Sequence, residues 1–390
     1  LEPLRDLAPV ENGRLFGDGF EIALLTGSVT GKDRKRALEL AASGEGMLLV
    51  GTHALIQEGV EFRRLGLAII DEQHRFGVRQ RVSLRARTRD QGQPDVLIMT
   101  ATPIPRTLAL TLYGDLDVSV LDEMPAGRTP VETKVVSTEA DRNAAYEHIR
   151  REVASGHQAF IVCPLVEESV SLEAKAAESE YERIRVEVFP GLRVGLIHGR
   201  MKSQAKEEVM TRMRSGDIDV LVATTVIEVG VDIPNATVLV IEDADRFGLS
   251  QLHQLRGRVG RGHDPASCYL FTTLTEDDEE QRAEALRRLG AMEATNDGFE
   301  LAELDMEIRG AGHLLGRGSV DEDKGAPAQA GRGDLRFANL PKDLSMLMQA
   351  RDEAFSLVAT DPLLRDDSHA SLLDDVRRRF ADRLDWLFAS

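Results

Sequence analysis

The chain has 390 residues, of which 42% are hydrophobic and 29% charged, a balance typical of globular domains and unlike that of disordered or membrane-embedded chains. At roughly 150 residues per domain, this length predicts two to three domains. The two cysteines, Cys163 and Cys268, lie in apolar, strand-like runs without partners at metal-ligand spacing, which excludes a disulfide scaffold and argues against a zinc finger.

No apolar run approaches the roughly 20 residues that a membrane helix needs, so no membrane partner is predicted. The net charge of −18 argues at first against nucleic acid, but the charge is uneven. Residues 276–308 hold twelve acidic and three basic residues, whereas 75–89 and 246–262 hold arginines and no acid. Such basic runs are often solvated helix faces, yet they can contact phosphate locally because salt screens charges beyond about 10 Å.

An internal repeat organises the sequence. Residues 25–27, 43–44 and 49–52 match residues 197–199, 215–216 and 221–224 at an offset of 172. Further along, residues 59–61, 70–72 and 75–77 match residues 230–232, 241–243 and 246–248 at an offset of 171. A near-constant offset indicates two related domains.

Short, nearly continuous Val/Ile/Leu runs alternate with amphipathic stretches and predict parallel α/β sheets. The predicted strands are Met47–Val50, Leu67–Ile70, Val96–Met99, Ala159–Cys163, Val194–Ile197, Val220–Ala223 and Val238–Ile241. Turn residues at 125–130 indicate a boundary between the copies. We therefore expect a partial first lobe at 1–128, a second lobe at 129–275, and a helical region at 276–390.

Two predicted strands of the first lobe end in polar residues. Leu67–Ile70 runs into Asp71 and Glu72, the pattern in which an Asp holds Mg²⁺ and the next Glu activates the attacking water. Thr100 and Thr102 follow the next strand, where hydroxyl groups can hydrogen-bond a neighbouring carboxylate. Taken alone, each pattern is equally consistent with an exposed strand end or a plain turn.

The segment from Gln254 to Arg261, Gln-Leu-Arg-Gly-Arg-Val-Gly-Arg, is the sharpest signal of the second lobe. Arginines three residues apart are expected to project from one helix face, and their planar guanidinium groups suit phosphoryl oxygens. A phosphate loop with the pattern G-x-x-x-x-G-K-[ST] is absent from these 390 residues. The nearest string, Gly27 to Asp33, has one residue too few between its glycines.

Together these segments resemble motifs II, III and VI of superfamily 2 helicases, and in particular of the RecG family of ATP-dependent DNA helicases. Residues 51–55 and 223–232 resemble motifs Ib and V, and the resemblance covers nearly all of residues 20–316. It implies an α/β fold with two tandem RecA-like lobes, each a parallel sheet flanked by helices, followed by a helical hairpin and a C-terminal helical segment. It also implies ATP and Mg²⁺ as cofactors.

The resemblance implies a role for individual residues. Mg²⁺ is placed on Asp71 and water activation on Glu72. Either contact with the γ-phosphate or coupling between the lobes is placed on Gln254, Arg258 and Arg261. Other implied contacts are Gln73, His74, Gly230 and Asp232 to the nucleotide, and Thr52, Arg200 and Thr224 to the DNA backbone. The resemblance also assigns Thr100 and Thr102 to the coupling of ATP hydrolysis to DNA movement.

Residues 305–316 resemble the start of the TRG motif, which couples lobe motion to duplex DNA in this family and in the transcription-repair coupling factor. Here Arg309, Gly310 and Gly312 are the implied coupling residues. The family's next Gln is expected three residues after Gly316, where Ser319 stands instead, and Gln329 resembles it displaced by ten residues. This predicts an insertion at 317–327.

The expected function is therefore the motor of a DNA helicase that remodels branched or duplex DNA, as a monomer in the reducing cytoplasm of a bacterium, near the nucleoid. Because the chain lacks a phosphate loop and begins at Leu1, we expect a C-terminal fragment that is inactive alone. Two alternatives stay open. One is a translocase of the transcription-repair coupling type, and the other is a non-catalytic, DNA-binding remnant of an ATPase.

Overall fold

The computed structural model describes residues 21–27, 29–43, 47–56, 59–71, 94–100, 117–121, 129–164, 170–224, 233–273, 279–309 and 343–380. The strands within them are β1 (Glu21–Leu25), β2 (Met47–Gly51), β3 (Leu67–Ile70), β4 (Asp95–Ile98), β5 (Glu132–Val136), β6 (Gln158–Val162), β7 (Val194–Ile197), β8 (Val220–Ala223), β9 (Ala236–Ile241) and β10 (Ser267–Phe271). The helices are α1 (Gly31–Ser43), α2 (Glu139–Ala154), α3 (Val170–Arg183), α4 (Ser203–Arg214), α5 (Leu249–Arg256), α6 (Glu279–Ala294), α7 (Gly298–Arg309), α8 (Leu344–Thr360) and α9 (Ala370–Phe380).

The chain forms two compact units. The first contains β1 to β4 and α1, together with the residues that follow Asp352, and the second contains β5 to β10 and α2 to α7. The α/β fold with parallel sheets, a helical pair after the second sheet and further helices near the C-terminus confirms the predicted fold class. The predicted domain boundaries at 128 and 275 stay predictions.

The second unit is built on a six-stranded sheet with the order β5-β10-β9-β6-β8-β7. All of its strand pairs are parallel. Every side chain of β6, β8 and β9 is buried, because helices cover both faces of the sheet. One face packs residues such as Leu239 against α5, and the other packs residues such as Ile161 against α2. The expectation of strands buried on both faces is confirmed for these three strands, whereas β3 and β4 of the first unit expose Leu67, Ile69 and Leu97.

The first unit contains two parallel strand pairs, β1–β2 and β3–β4. Its core includes Leu25 at the end of β1, Ile70 at the end of β3, and Ala37 and Ala41 on the inner face of α1. Glycine is required at Gly51, where an added Cβ would lie 2.1 Å from the carbonyl oxygen of Leu25. The strands β1 and β2 therefore approach each other closely at their carboxyl ends.

The sequence repeat corresponds to a repeated structure. In the first unit Leu25 pairs with Gly51, and in the second Ile197 pairs with Ala223, so the same register recurs 172 residues later. The helices between these strands, α1 and α4, each have at their C-terminal end a serine whose hydroxyl donates to the carbonyl three residues earlier. The hydroxyl of Ser43 donates to the carbonyl of Leu40 at 2.8 Å, and that of Ser215 donates to the carbonyl of Arg212 at 3.1 Å.

Three strands were not among those predicted, namely β1, β5 and β10. In β5, whose sequence is Glu-Thr-Lys-Val-Val, exposed and buried side chains are mixed because the strand lies at the sheet edge. Such a strand does not produce a continuous apolar run. Strand β1 could have been found from the repeat, since β7 shifted by 172 residues falls on residues 22–25. Cys268 lies within β10, whereas Cys163 follows the end of β6.

A polar cluster joins α2 to the sheet of the second unit. The carboxylate of Glu152 accepts a hydrogen bond from the Thr237 hydroxyl at 2.7 Å and lies 2.8 Å from Nδ1 of His157. Nδ1 of His148 lies 2.8 Å from the Tyr269 hydroxyl, and its Nε2 lies 3.6 Å from Glu152. Burial lowers the pKa of His148, and the neighbouring Glu152 only partly opposes this effect.

This lowered pKa predicts a pH-dependent stability. The unfolded chain binds a proton at His148 more readily than the folded chain, so the free energy of unfolding should fall as pH drops below about 6.5. Urea unfolding between about pH 7.5 and 5.5 measures this loss. His148→Gln, which cannot titrate, should reduce the loss, while the same change at the exposed His263 should not. An equal loss in the His148 variant would contradict the prediction.

Candidate functional site

The predicted motif residues of the first unit lie at the carboxyl edge of its strands. Strands β3 and β4 are parallel, and the backbone N–H of Met99 donates to the carbonyl of Ile70 at 2.8 Å. Asp71 follows β3 directly and is exposed, and Thr100 follows Met99. The structure therefore brings Asp71 and Thr100 to the same edge. Their predicted companions Glu72, Gln73, His74 and Thr102 lie outside the described residues.

Predicted DNA contacts also lie at strand ends. Thr52 follows β2 and is exposed, and its carbonyl accepts a hydrogen bond from the N–H of Leu55 at 3.0 Å. In the second unit, Arg200 is exposed three residues beyond the end of β7. Thr224 follows β8, the strand adjacent to β7, and its N–H donates to the carbonyl of Ile197 at 3.2 Å. Arg200 and Thr224 thus lie on neighbouring strand ends.

Thr224 differs from an ordinary buried threonine. Its side chain is 2% exposed, and its hydroxyl makes no hydrogen bond within the part of the chain that the structure describes. Leaving a buried hydroxyl unsatisfied costs about 1–3 kcal/mol. We therefore expect its partner to be either a residue of 225–232, which lie outside the described residues, or a ligand oxygen at this strand end. The predicted nucleotide contacts Gly230 and Asp232, which follow it, lie outside the described residues.

The arginine-rich segment begins in α5 and continues beyond it. Gln254 lies in the helix and is partly buried, but α5 ends at Arg256. Arg258 and Arg261 therefore lie in the following turn, and the expectation that these arginines project from one helix face is wrong. Gly260, which lies between the two arginines, has a left-handed φ of 68°, so no helix runs from Arg258 to Arg261. The guanidinium Nε of Arg261 donates to the carbonyl of Gly257 at 3.2 Å.

The second repeat also contains a buried ionic network that the sequence did not reveal. Glu242, directly after β9, accepts hydrogen bonds from Arg142 at 3.1 Å and from the Tyr146 hydroxyl at 3.3 Å, and Arg183 lies 3.6 Å away. Burial raises the pKa of Glu242, and nearby Glu180 adds to this effect, although Arg142 and Arg183 oppose it. Burial also raises the pKa of Tyr146 to about 12. Only the repeat pattern, which pairs Glu242 with Asp71, could have drawn attention to it.

The predicted coupling residues are mostly outside the described part of the chain. Arg309 is the last residue of α7, and only its backbone is described. Gly310, Gly312, Gln329 and the predicted insertion at 317–327 lie beyond it, outside the described residues.

Among the residues that the structure does describe, no cluster of three or more His, Cys, Asp or Glu side chains has the geometry of a metal site. No described helix is long and apolar enough to cross a membrane.

Comparison with known proteins assigns both halves of the chain to helicase families. The DEAD/DEAH box helicase family matches residues 1–111, and the helicase conserved C-terminal domain matches residues 142–263. A solved helicase, MrfA bound to DNA, shares the fold at 18% identity with a TM-score of 0.51, covering 75% of this chain and 48% of that one. The fold and the motif positions thus define a helicase with two RecA-like lobes.

Closer relatives identify the family. ATP-dependent DNA helicase RecG of Synechocystis sp. is 49% identical over 92% of this chain and 41% of its own length, and that of Bacillus subtilis is 48% identical over 91% and 49%. The structure of RecG bound to a three-way DNA junction has a TM-score of 0.60 at 42% identity, covering 84% of this chain and 40% of that one. The chain belongs to the RecG family of helicases. It spans about half the length of the curated relatives that it matches.

The hydroxyl of Thr224, for which the described residues provide no partner, gives a prediction with a matched control. Thr224→Val keeps the shape and removes only the hydroxyl, so the free energy of unfolding should stay unchanged or rise by about 1 kcal/mol. Affinity for a labelled DNA duplex should fall about fivefold, through loss of one phosphate hydrogen bond.

Thr237 provides the matched control. It is 3% exposed, but its hydroxyl donates to Glu152 at 2.7 Å. Thr237→Val should lower the free energy of unfolding by about 1.5–3 kcal/mol, because a hydrogen bond to a carboxylate is lost. Urea unfolding and DNA-binding anisotropy measured on both variants check the contrast. If Thr224→Val destabilises the chain as much as Thr237→Val does, its hydroxyl has a structural partner.

Proposed function

We propose that this chain is the motor portion of an ATP-dependent DNA helicase that remodels branched DNA, such as stalled forks and recombination junctions. The observation that carries the proposal is the 49% identity to a RecG helicase over 92% of the chain. The related RecG structure is bound to a three-way DNA junction, which supports branched DNA as the substrate class. We propose that the protein acts as a monomer.

In this proposal Asp71 binds Mg²⁺ and the adjacent Glu72 orients and deprotonates the water that attacks the γ-phosphate of ATP. The exposed carboxylate of Asp71 at the end of β3 fits this role, because Mg²⁺ prefers carboxylate and water oxygens. When bound, the ion neutralises charge on the phosphate oxygens. In this proposal Thr100, at the same edge, and Thr102 respond to whether Asp71 binds Mg²⁺.

The arginine-rich turn supplies the positive charge in this proposal. Arg258 and Arg261 stabilise charge that develops on the γ-phosphate, and Gln254 contacts the same group. Gln73, His74, Gly230 and Asp232 complete the nucleotide contacts. The turn after α5 supports these roles in one respect, since it brings Arg258 and Arg261 close together directly after the helix that contains Gln254.

DNA is contacted in this proposal by Thr52, Arg200 and Thr224. The supporting observations are the exposed guanidinium of Arg200 and the buried, unsatisfied hydroxyl of Thr224 on adjacent strand ends. Arginine and threonine are common ligands of DNA phosphates. Coupling of ATP hydrolysis to DNA movement is assigned to Arg309, Gly310, Gly312 and Gln329.

The 390-residue chain by itself should hydrolyse ATP negligibly. It contains no G-x-x-x-x-G-K-[ST] segment, and such a segment supplies the backbone N–H groups and the lysine that hold the β- and γ-phosphates. The measurement is phosphate release by the purified chain with and without forked DNA. Turnover near 1 s⁻¹, within the ordinary range of enzymes, would show that these 390 residues suffice.

In the full-length protein, Glu72→Gln should leave ATP binding largely intact and reduce hydrolysis by about 10²–10⁴-fold, because the amide cannot accept a proton. Arg258→Ala and Arg261→Ala should also lower turnover, by removing charge stabilisation from the transition state. Arg212→Ala on the exposed face of α4 is the matched control and should have no effect. An unmodified rate in Glu72→Gln would exclude Glu72 as the catalytic base.

A further inference from the structure

Arg256 is the last residue of α5 and lies between the proposed nucleotide contacts Gln254 and Arg258. Those two residues are partly buried, whereas Arg256 is almost fully buried. Its side chain is 3% exposed. The guanidinium Nη1 donates to the carbonyls of Met292 and Thr295, both at 2.8 Å. Basic runs are often solvated helix faces, but this interpretation does not apply to Arg256, which the structure buries almost completely.

The two carbonyls belong to the end of α6. Met292 lies in its last turn, and Thr295 follows its final residue, Ala294. The last carbonyls of a helix lack helical partners and carry partial negative charge, so a guanidinium is a suitable cap for them. Arg256 therefore closes α6 from a different helix. Its Nη1 is also 3.4 Å from the Thr133 hydroxyl of β5, and its Nη2 is 3.0 Å from Nδ1 of His253.

Within the described residues, no carboxylate forms an ion pair with Arg256. A buried charge without a counterion is costly, and apolar side chains of similar size usually fill such a space at lower cost. The leucines around it show that apolar packing is available here, since Leu252 and Leu255 of α5 share one core with Leu289 of α6 and Leu301 of α7. Stability alone therefore does not account for an arginine at this position.

What a guanidinium adds over an apolar side chain is geometry. Its donors form a rigid planar fork. Both carbonyls at the end of α6 are bound at 2.8 Å by one arm of that fork, Nη1, whose two N–H bonds have fixed directions in the guanidinium plane, so the contact fixes both the distance and the orientation of α5 relative to α6. The backbone runs from Arg256 straight into the turn that holds Arg258 and Arg261. The N–H of Arg258 donates to the carbonyl of Leu255 at 2.8 Å, which ties that turn to the same end of α5.

We propose that Arg256 is a positioning residue that fixes the Gly257–Arg261 turn against the α6–α7 pair, so that the turn and the two helices move as one body. The inference rests on the proposed function in one respect, because it takes Arg258 and Arg261 as nucleotide contacts. By thermodynamic linkage, if docking of α6 strengthens nucleotide binding at those arginines, then nucleotide binding stabilises the docked α6 by the same free energy.

Hydrogen exchange on the 390-residue chain tests the structural half of this proposal. Arg256→Met should speed amide exchange about tenfold across residues 290–301, with β6 and β9 unchanged. Arg256→Lys, which keeps the charge but lacks the fork, should give an intermediate rate. Arg287→Met is the matched control on α6, since Arg287 is exposed and lies 3.5 Å from Glu307 of α7; its exchange rates should equal those of the unmodified chain.

Two results would overturn the structural half. One is an unchanged exchange rate at residues 290–301 in Arg256→Met. The other is an even increase over sheet and helices, which marks a general contribution to stability. If Arg256→Met does not fold, the Lys variant decides the matter, since faster exchange confined to residues 290–301 supports the proposal and unaltered exchange rejects it.

Steady-state kinetics on the full-length protein test the functional half. Arg256→Met should lower kcat for DNA-stimulated ATP hydrolysis about tenfold with little change in KM for ATP, because misplaced arginines stabilise the transition state poorly, and Lys should restore part of the loss. If the unmodified protein hydrolyses ATP and Arg256→Met has the same kcat, the positioning role is wrong and the proposed function stands. If the unmodified protein does not hydrolyse ATP, the proposed function fails, and the exchange rates still decide whether Arg256 fixes α6.

Discussion

Burial of the central strands of the second unit on both faces determines where chemistry can occur in this domain. Since every side chain of β6, β8 and β9 is buried, none of them is free to meet a ligand along the length of the strands. Polar side chains available for binding are therefore expected beyond the ends of these strands, where Thr224 follows β8 and Glu242 follows β9. The same constraint requires helices to cover both faces of the sheet. Two of these helices, α5 and α6, pack in one core and contact each other.

Much of this fold could be predicted because central parallel strands are continuous apolar runs. The bounds of β3, β7 and β8 agree with prediction at both ends, whereas the edge strand β5 mixes exposed and buried residues and produces no such run. The strand-end position of Asp71 could also be predicted, because its motif includes the strand. The burial of Arg256 could not, since its partners are backbone carbonyls about 40 residues away and a basic run gives no sign of them.

Two threonines illustrate why burial alone does not identify a functional side chain. Thr224 and Thr237 are both almost fully buried. The hydroxyl of Thr237 has a carboxylate partner that joins β9 to α2, so it is accounted for by the fold. The hydroxyl of Thr224 has no partner among the described residues, so the described part of the fold does not account for it. Hydrogen-bond satisfaction, rather than residue type or exposure, separates the structural threonine from the candidate ligand.

The two units share a strand register but not the environment of their strand-end acids. Leu25 pairs with Gly51, and Ile197 pairs with Ala223, as expected for two copies of one structural unit. Asp71 is exposed after β3, whereas Glu242, at the equivalent position after β9, is enclosed by Arg142 and Tyr146. The same position thus holds an acid accessible to solvent in one unit and a member of a buried ionic network in the other, so the two units are not interchangeable.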